Sequence, residues 1–326
     1  MTRRVVLTAS AAEICRGELD AVPGIEVIER YDLGDTRDEE LLATGLDGAW
    51  AVIAGSEPYR RPTLQAAHDL RAILRWGTGS DAIDLAAASD AGVAVITAPG
   101  ANADAVADMA LTLMLACLRR LAELQTAVRS GDWRPEAPSG DLTRATVGIV
   151  GLGAIGRAVA RRLRGFECRI LAVEPHPDPN FCHEYGIEVV GLAEALPRVD
   201  VLTLHAPLLP GARHLLGEAE LARLPRHAVV INTSRGPLID QAALTVALMS
   251  GALASAGLDV FEHEPLPAGD PLMSLPNVIT TGHVSSFTQL GMRRTGEAVL
   301  ANLRRLLGGV VPASCLNPQV WSTAEL

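Results

Sequence analysis

Short apolar runs alternate with segments of helical periodicity from the start of the chain. Five runs have the length and β-branched content of strands: Arg4–Thr8, Ile25–Glu29, Trp50–Ala54, Arg71–Trp76 and Val93–Thr97. The segments between them, such as Pro62–Leu70 and Ile83–Ala91, have the spacing of amphipathic helices. Strands that alternate with helices predict right-handed crossovers and a parallel sheet, so we expect a small flavodoxin-like α/β domain here.

A second series of strands follows a long helix. The helix is predicted from Asn102 to about Ala127, with Asn102 as its N-cap. The strands after it are expected to begin at Thr146 and to continue at Ile170–Val173, Val199–Leu204, Ala228–Asn232, Ala256–Val260 and Val278–Thr280. A last helix, about Thr288–Leu307, comes after this series. The 326 residues are therefore expected to form two α/β domains, with a boundary near residue 100.

Composition excludes several classes of protein. All 28 basic residues are arginine, so no lysine is present for a Schiff base, for pyridoxal phosphate or for a phosphate-binding P-loop. The net charge is −10 without a long basic cluster, which makes nucleic acid and anionic membranes poor partners. The apolar run Met109–Leu118 is too short to span a bilayer, and the first residues, MTRRVVLTAS, lack the apolar stretch of a signal peptide.

The five cysteines have no CxxC spacing, and the histidines lack the spacing of metal ligands. We therefore expect no metal, and we expect reduced thiols in a cytoplasmic protein.

The clearest motif is a glycine-rich turn between a strand and a helix. The segment that ends in Gly151-Leu152-Gly153-Ala154-Ile155-Gly156 follows an aliphatic strand, and the acidic Glu174 ends the next strand. This is the arrangement of a dinucleotide site: Gly151 allows the tight turn, Gly153 the close approach of a pyrophosphate, and Gly156 the packing of helix on strand. Glu174 is expected to bind the adenosine ribose hydroxyls and to favour NAD over NADP, although His176 could acquire a charge beside a phosphate.

Three later segments place polar residues directly after apolar strands, where open parallel sheets bind ligands. They are Ile231–Asp240, Leu258–Pro267 and Thr281–Ser286. Each places a functional side chain just past an apolar strand, namely Arg235, Glu264 and His283.

Together these segments resemble the D-isomer-specific 2-hydroxyacid dehydrogenase family, which includes phosphoglycerate dehydrogenases and glyoxylate/hydroxypyruvate reductases. The resemblance also includes Trp76–Asp84, Pro99–Ala103 and His205–Pro210, and it extends over nearly the whole chain. It implies an NAD-binding Rossmann domain, residues 101–285, inserted into a flavodoxin-like substrate domain made of residues 1–100 and 286–326. The implied activity is transfer of a hydride between nicotinamide and the 2-carbon of a small 2-hydroxy or 2-oxo acid.

The resemblance also implies a role for each site residue. His283 would be the acid/base, Glu264 would orient it and favour the imidazolium, and Arg235 would hold the substrate carboxylate and carbonyl oxygen. Backbone N–H groups around Thr78 and Gly79 would receive the carboxylate. The implied contacts with NAD come from these residues: Gly151, Gly153, Ala154, Ile155, Gly156, Glu174, His205, Ala206, Pro207, Thr233, Asp259, which would bind the nicotinamide amide, and His283.

Two departures from the family pattern affect the expected site. Gly282 stands where proline commonly precedes the catalytic histidine, which predicts a looser loop. Gly55-Ser56 stands where phosphoglycerate dehydrogenases tend to carry arginine before serine, which disfavours phosphoglycerate as substrate. Arg60 and Arg61 could replace that arginine, and Tyr59 and Ser80 suggest a polar pocket.

Other functions of the same fold remain alternatives. Formate dehydrogenases carry glutamine where Glu264 stands, and phosphite dehydrogenases use a lysine in the segment of Thr78 and Gly79, so both are disfavoured. A dinucleotide-sensing module similar to corepressor relatives, with little turnover, stays open. We expect a homodimer, because the family generally pairs through the region of the long helix at Asn102–Ala127.

Overall fold

The computed structural model describes residues 2–34, 36–133 and 138–322. Its strands are β1 Arg3–Leu7, β2 Ile25–Glu29, β3 Ala51–Ala54, β4 Ala72–Arg75, β5 Ala94–Ile96, β6 Thr146–Val150, β7 Arg169–Val173, β8 Ile187–Val189, β9 Val201–Leu204, β10 Val229–Asn232, β11 Ser255–Leu258 and β12 Val278–Thr280. Its α-helices are α1 Arg16–Asp20, α2 Glu39–Gly45, α3 Arg61–Ala66, α4 Leu85–Asp90, α5 Ala103–Leu118, α6 Leu121–Ser130, α7 Ala154–Leu163, α8 Pro179–Tyr185, α9 Leu192–Ala195, α10 Glu218–Leu221, α11 Gln241–Met249 and α12 Gln289–Leu307. Short 3-10 helices lie at Ser10–Cys15, Tyr31–Leu33, Arg164–Phe166, Leu196–Arg198, Gly236–Leu238, Pro271–Ser274 and Pro318–Ser322.

The chain forms two compact units. The terminal unit contains the described residues up to Asn102 and from Phe287 onward, and the central unit is Ala103–Ser286. None of the described helices is long and apolar enough to cross a membrane.

The terminal unit is built on a five-stranded parallel sheet in the order β2-β1-β3-β4-β5. The strand order reverses between β1 and β3, which is the switch point at which open α/β sheets bind ligands. On one face of the sheet, α12 packs through Val299, Leu303 and Leu306. Thr288 caps this helix by accepting a hydrogen bond from the Gly291 amide, so the last predicted helix begins where the sequence indicated.

The central unit is built on a seven-stranded parallel sheet in the order β12-β11-β10-β9-β6-β7-β8. Its inner strands, such as β9 and β10, are buried along their whole length because helices cover both faces. The two parallel sheets confirm the predicted α/β class. The short edge strand β8 was not predicted, because three residues carry too little periodicity to detect.

The prediction of a single long helix from Asn102 to Ala127 was wrong. This segment contains two helices, α5 and α6, and Arg120 between them has a left-handed φ of 52°. The last buried residue of α5 is Cys117, and α6 has no buried residue. The helical periodicity of the sequence continues from α5 into α6. It therefore gives no sign of the break between the two helices.

Candidate active site

Three neighbouring strands of the central sheet are each followed by one of the predicted catalytic side chains. Arg235 follows β10, Glu264 follows β11 and His283 follows β12. These strands are adjacent and parallel, so their carboxyl ends lie at the same edge of the sheet. The fold therefore brings to one edge three residues that are far apart in sequence.

His283 and Glu264 are in direct contact. The imidazole Nδ1 of His283 lies 2.7 Å from Oε2 of Glu264, and the other oxygen of Glu264 accepts a hydrogen bond of 3.0 Å from the Phe261 amide. Burial on its own would raise the pKa of Glu264, but the bond to His283, the Phe261 amide and the charge of Arg235 together hold that pKa below its usual value. The carboxylate is therefore ionised at neutral pH, and it fixes the orientation of the imidazole.

Asp259 holds the loop that carries His283. The φ of His283 is 56°, a left-handed conformation that costs free energy for a residue with a side chain. Its amide donates to the Asp259 carbonyl at 2.7 Å, and the amides of Val284 and Ser285 donate to the Asp259 carboxylate at 2.9 Å each. The hydroxyls of Thr281 and Ser285 donate to the same carboxylate. The glycine at position 282 predicts a looser loop around His283. The hydrogen bonds to Asp259 restrain this loop instead.

The loop of Arg235 packs tightly against the segment that leads to Glu264. A Cβ atom at Gly236 would lie 1.9 Å from the Phe261 carbonyl oxygen, so only glycine fits at this crossing. The Asn232 side chain donates to the Arg235 carbonyl at 2.9 Å, and Nη1 of Arg235 donates to the Ser234 carbonyl at 2.7 Å. The guanidinium is therefore held on a restrained backbone, and its charge acts on Glu264.

The glycine-rich turn has the geometry that its motif predicts. Gly151 has a φ of 92°, and a Cβ there would lie 2.7 Å from the Ala206 amide nitrogen. A Cβ at Gly156 would lie 2.1 Å from the Gly151 carbonyl oxygen, whereas one at Gly153 would meet no atom within 4 Å. Gly153 directly precedes α7, whose first residues are Ala154 and Ile155. The space in front of this helix N-terminus fits the approach of a pyrophosphate.

Two buried polar atoms near this turn have no partner among the described residues. They are Nδ1 of His205, which follows β9, and Oγ1 of Thr233, which follows β10. Nε2 of His205 is bonded to the Thr203 hydroxyl at 2.9 Å, and burial lowers the pKa of His205 to about 3, so the ring is neutral. Buried polar atoms without a partner are costly unless a ligand or water satisfies them. The backbone of Ala206 lies beside Gly151, and Pro207 is next in the chain. These residues fit a bound dinucleotide.

Glu174 closes the other side of the glycine-rich turn. It follows β7, and its two carboxylate oxygens accept hydrogen bonds from the amides of Leu152 at 2.8 Å and His176 at 2.9 Å. Its position at the end of the second strand of this unit is the one at which dinucleotide folds contact the adenosine ribose.

Thr78 and Gly79 lie in the terminal unit, in the loop that follows β4. Thr78 is exposed, and the preceding Gly77 is buried and has a φ of 134°, a conformation that favours glycine. Of the two residues that suggested a polar pocket, Tyr59 is completely buried, whereas Ser80 is half-buried. Arg61, proposed as a substitute cation, forms an ion pair with Asp90 at 2.8 Å.

Several residues that support these loops were not predicted from the sequence. They are Asn232, Ser234 and Ser285 in the central unit and Glu57 in the terminal unit. The signal was available for the first three, because each is a polar residue within the segments already selected at strand ends. Glu57 lacked such a signal, since a glutamate before a proline is ordinarily an exposed turn residue.

Comparison with known proteins identifies the family. Residues 111–285 match the model of the D-isomer specific 2-hydroxyacid dehydrogenase NAD binding domain. The chain is 39% identical over 270 residues to a glyoxylate reductase of Korarchaeum cryptofilum, covering 81% of each chain. It is 35% identical over 289 residues to glyoxylate/hydroxypyruvate reductase B of Yersinia pestis, covering 87% of this chain and 88% of the relative. The crystal structure of a glyoxylate reductase from Paecilomyes thermophila superposes with a TM-score of 0.83 at 31% identity, covering 98% and 99% of the two chains.

The chain therefore belongs to the D-isomer specific 2-hydroxyacid dehydrogenase family. It is an NAD-dependent oxidoreductase of this class, its fold contains the expected Rossmann domain, and NAD(H) is its cofactor.

Proposed function

We propose that the enzyme reduces a small 2-oxo acid to the D-2-hydroxy acid with NADH, and that glyoxylate and hydroxypyruvate are its first candidate substrates. The observation that carries this proposal is the 2.7 Å contact between His283 and an ionised Glu264 at the edge of the sheet that also holds Arg235. The two relatives described above are named for glyoxylate and hydroxypyruvate. Gly55 supports small substrates, because it leaves that position without the arginine that phosphoglycerate dehydrogenases tend to carry.

The roles of the three residues follow from the charge that reduction creates. NADH held at the glycine-rich turn would supply a hydride for C2 of the acid. As C2 becomes tetrahedral, the electron pair of the C=O bond moves to oxygen, where a proton donor and a fixed cation stabilise it. Nδ1 of His283 is held by Glu264, so Nε2 is the nitrogen that gives its proton to this oxygen. Arg235 pairs with the carboxylate and the carbonyl oxygen through its planar guanidinium.

We assign the backbone contacts with the substrate carboxylate to the terminal unit, and the Arg235 contact with the substrate and the cofactor contacts to the central unit. In the terminal unit, the backbone amides around Thr78 and Gly79 receive the carboxylate. In the central unit, the cofactor contacts come from the glycine-rich turn, Glu174, the segment His205–Pro207, Thr233, Asp259 and His283. Asp259 also has the separate role, shown by its hydrogen bonds, of fixing the loop of His283.

The direct test is NADH oxidation with a panel of 2-oxo acids that contains glyoxylate, hydroxypyruvate, pyruvate, branched and phosphorylated members. We expect turnover with at least one small member, and chiral chromatography of the product from hydroxypyruvate should show the D-acid. The L-acid would overturn the stereochemical part of the proposal. Tight NADH binding without turnover on any member would instead favour the dinucleotide-sensing function.

We also propose a homodimer that forms through the surface of α6. Leu121 and Val128 on this helix are 58% and 54% exposed, and Trp133 after it is 82% exposed. A cavity of about 660 Å³ lies between the ends of α5 and α6 and the amino ends of the central strands. A second copy would present the same apolar surface, as a two-fold interface requires.

Sedimentation equilibrium tests this interface. The double variant Leu121→Glu with Val128→Glu should be monomeric, whereas Val246→Glu, at a position that is 66% exposed on α11, should stay dimeric. A monomeric wild-type chain, or a dimeric double variant, would contradict the proposal.

A further inference from the structure

The switch point of the terminal sheet is occupied by a buried acidic residue. Thr8 directly follows β1, and the turn at Gly55, Ser56 and Glu57 directly follows β3. These two strands are neighbours, with Leu7 opposite Ile53, and the strand order of the sheet reverses between them. Crevices at this point are where open parallel sheets bind ligands. Thr78 and Gly79 follow β4, so they lie at the same edge of the same sheet.

Glu57 has no exposed surface, and three donors converge on one of its oxygens. Its Oε1 accepts hydrogen bonds from the Tyr59 hydroxyl at 2.7 Å, from the Gly55 amide at 3.1 Å and from the Thr8 hydroxyl. Its Oε2 is buried and has no partner among the described residues. Burial raises the pKa of Glu57, and these hydrogen bonds only partly oppose the rise. The carboxyl group therefore joins the end of β1 to the turn after β3.

The buried carboxyl group of Glu57 crowds position 55. A Cβ atom at Gly55 would lie 2.8 Å from Oε2 of Glu57 and 3.3 Å from the Gly34 carbonyl oxygen. A side chain at position 55 would therefore require the Glu57 carboxyl group to shift. Ser56 is left as the exposed side chain of the turn, and its carbonyl accepts a hydrogen bond from Arg37 at 2.9 Å.

The same cluster is linked to the loop expected to bind the substrate carboxylate. Tyr59, which donates to Glu57, pairs through its backbone with the segment after Gly79: its amide donates to the Ala82 carbonyl, and its carbonyl accepts from the Asp84 amide, both at 2.9 Å. A shift of Glu57 would therefore move both the turn at Ser56 and the segment that continues the loop of Thr78 and Gly79.

We propose that Glu57 is a positioning residue for substrate selection: its buried carboxyl group holds the turn so that Gly55 and Ser56 face the group attached to C2 of the 2-oxo acid. This inference rests on the proposed function. The turn offers a hydroxyl and an absent side chain, which suits a hydrogen atom or a hydroxymethyl group at C2. Neither Gly55 nor Ser56 carries a positive charge to bind a phosphate group.

The test compares hydroxypyruvate, which has a hydroxymethyl group at C2, with glyoxylate, which has only hydrogen there. We measure the ratio of their kcat/KM values in wild type, Glu57→Ala, Glu57→Gln and Ser56→Val. A difference of one small group is worth about 10- to 200-fold in a well-formed pocket, so Glu57→Ala and Ser56→Val should each change the ratio by about tenfold. The neutral and isosteric Glu57→Gln should keep the ratio within about threefold, because its amide oxygen can accept the same three donors.

Two measurements separate this role from a purely structural one. Thr44→Val introduces the same side chain on an exposed position of α2, a helix that leads to the amino end of β3, and it should leave the ratio unchanged. The NADH dissociation constant, measured by fluorescence, should be the same in every variant.

The outcomes decide between the two proposals. Equal losses on both substrates in Glu57→Ala, or an unchanged ratio in Ser56→Val, would overturn the selection role while leaving the proposed reduction intact. If Glu57→Ala does not fold, the ratios of Ser56→Val and Glu57→Gln decide the question in the same way. A wild-type enzyme that reduces neither acid would refute the proposed substrates and this inference together.

Discussion

Replacing Glu264 by glutamine isolates the electrostatic part of the His283–Glu264 contact. The contact distance of 2.7 Å is typical of a hydrogen bond to an ionised group, and Glu264 is ionised because its pKa lies below the usual value. A hydrogen bond to a charged group contributes about 1.5–3 kcal/mol, compared with about 1 kcal/mol between neutral groups. The side chains of His283 and Glu264 are 47% and 31% exposed, so water screens part of this interaction.

Glutamine keeps a neutral hydrogen bond to the imidazole, so the expected loss is the difference between these two values, about 0.5–2 kcal/mol. We take about 1.4 kcal/mol in transition-state stabilisation, which corresponds to a decrease of roughly tenfold in kcat/KM for 2-oxo acid reduction. An exposed ion pair without a role in catalysis would contribute only about 0.5 kcal/mol, or roughly a twofold effect. The two cases therefore lie on either side of a threefold decrease.

The assay is steady-state NADH oxidation at neutral pH with the best acid of the panel, together with fluorescence titration of NADH. Glu262→Gln is the matched control: it makes the same change on the same segment, but Glu262 contacts His214 and Arg213 instead of His283. We expect the NADH affinity of both variants to stay within about twofold of wild type, since neither change creates a buried unpaired charge. A decrease in kcat/KM below threefold for Glu264→Gln, or an equal decrease in Glu262→Gln, would refute this reasoning.

Other predictions follow from single contacts. Gly153→Ala should weaken NADH binding, and its Tm should stay within a few degrees of wild type because the new Cβ meets no protein atom. Gly236→Ala should lower the Tm markedly, because overpacking against Phe261 costs about 1–3 kcal/mol. Glu174→Ser should narrow the preference for NAD over NADP by about tenfold in kcat/KM, since a carboxylate repels the 2′-phosphate, and an unchanged preference would count against that role. Burial raises the pKa of Glu57 above its ordinary value of 4.5, so the folded protein keeps a proton that the unfolded chain loses. The free energy of unfolding should therefore decrease as the pH rises through 4.5 and above it. The stability of Glu57→Gln, which has no such proton, should fall less over the same pH range; parallel Tm profiles would contradict the assignment.

The sequence predicts most of the fold because parallel strands leave a strong signal. Strands such as β9 and β10 are buried on both faces, so they appear as uninterrupted apolar runs followed by polar residues. Their carboxyl ends meet at one edge by necessity. This is why Arg235, Glu264 and His283 could be selected before their contacts were known.

What could not be predicted depends on packing between distant segments. The break at Arg120 occurs where α5 reaches the end of the sheet it covers, and no local propensity marks that position. The buried state of Glu57 depends on Thr8 and Tyr59, which come from other parts of the chain. The restraint on His283 comes from Asp259, whose carboxylate accepts bonds from a loop more than twenty residues later in the sequence.

The central claim is that His283 donates the proton to the developing alkoxide while Glu264 and Arg235 hold the reacting groups. Single-turnover oxidation of bound NADH by glyoxylate in His283→Ala tests it most directly, because product release does not affect the measured rate. We expect a rate at least about 100-fold below wild type, with the NADH dissociation constant within about twofold. A rate within threefold of wild type would show that a group other than His283 supplies the proton.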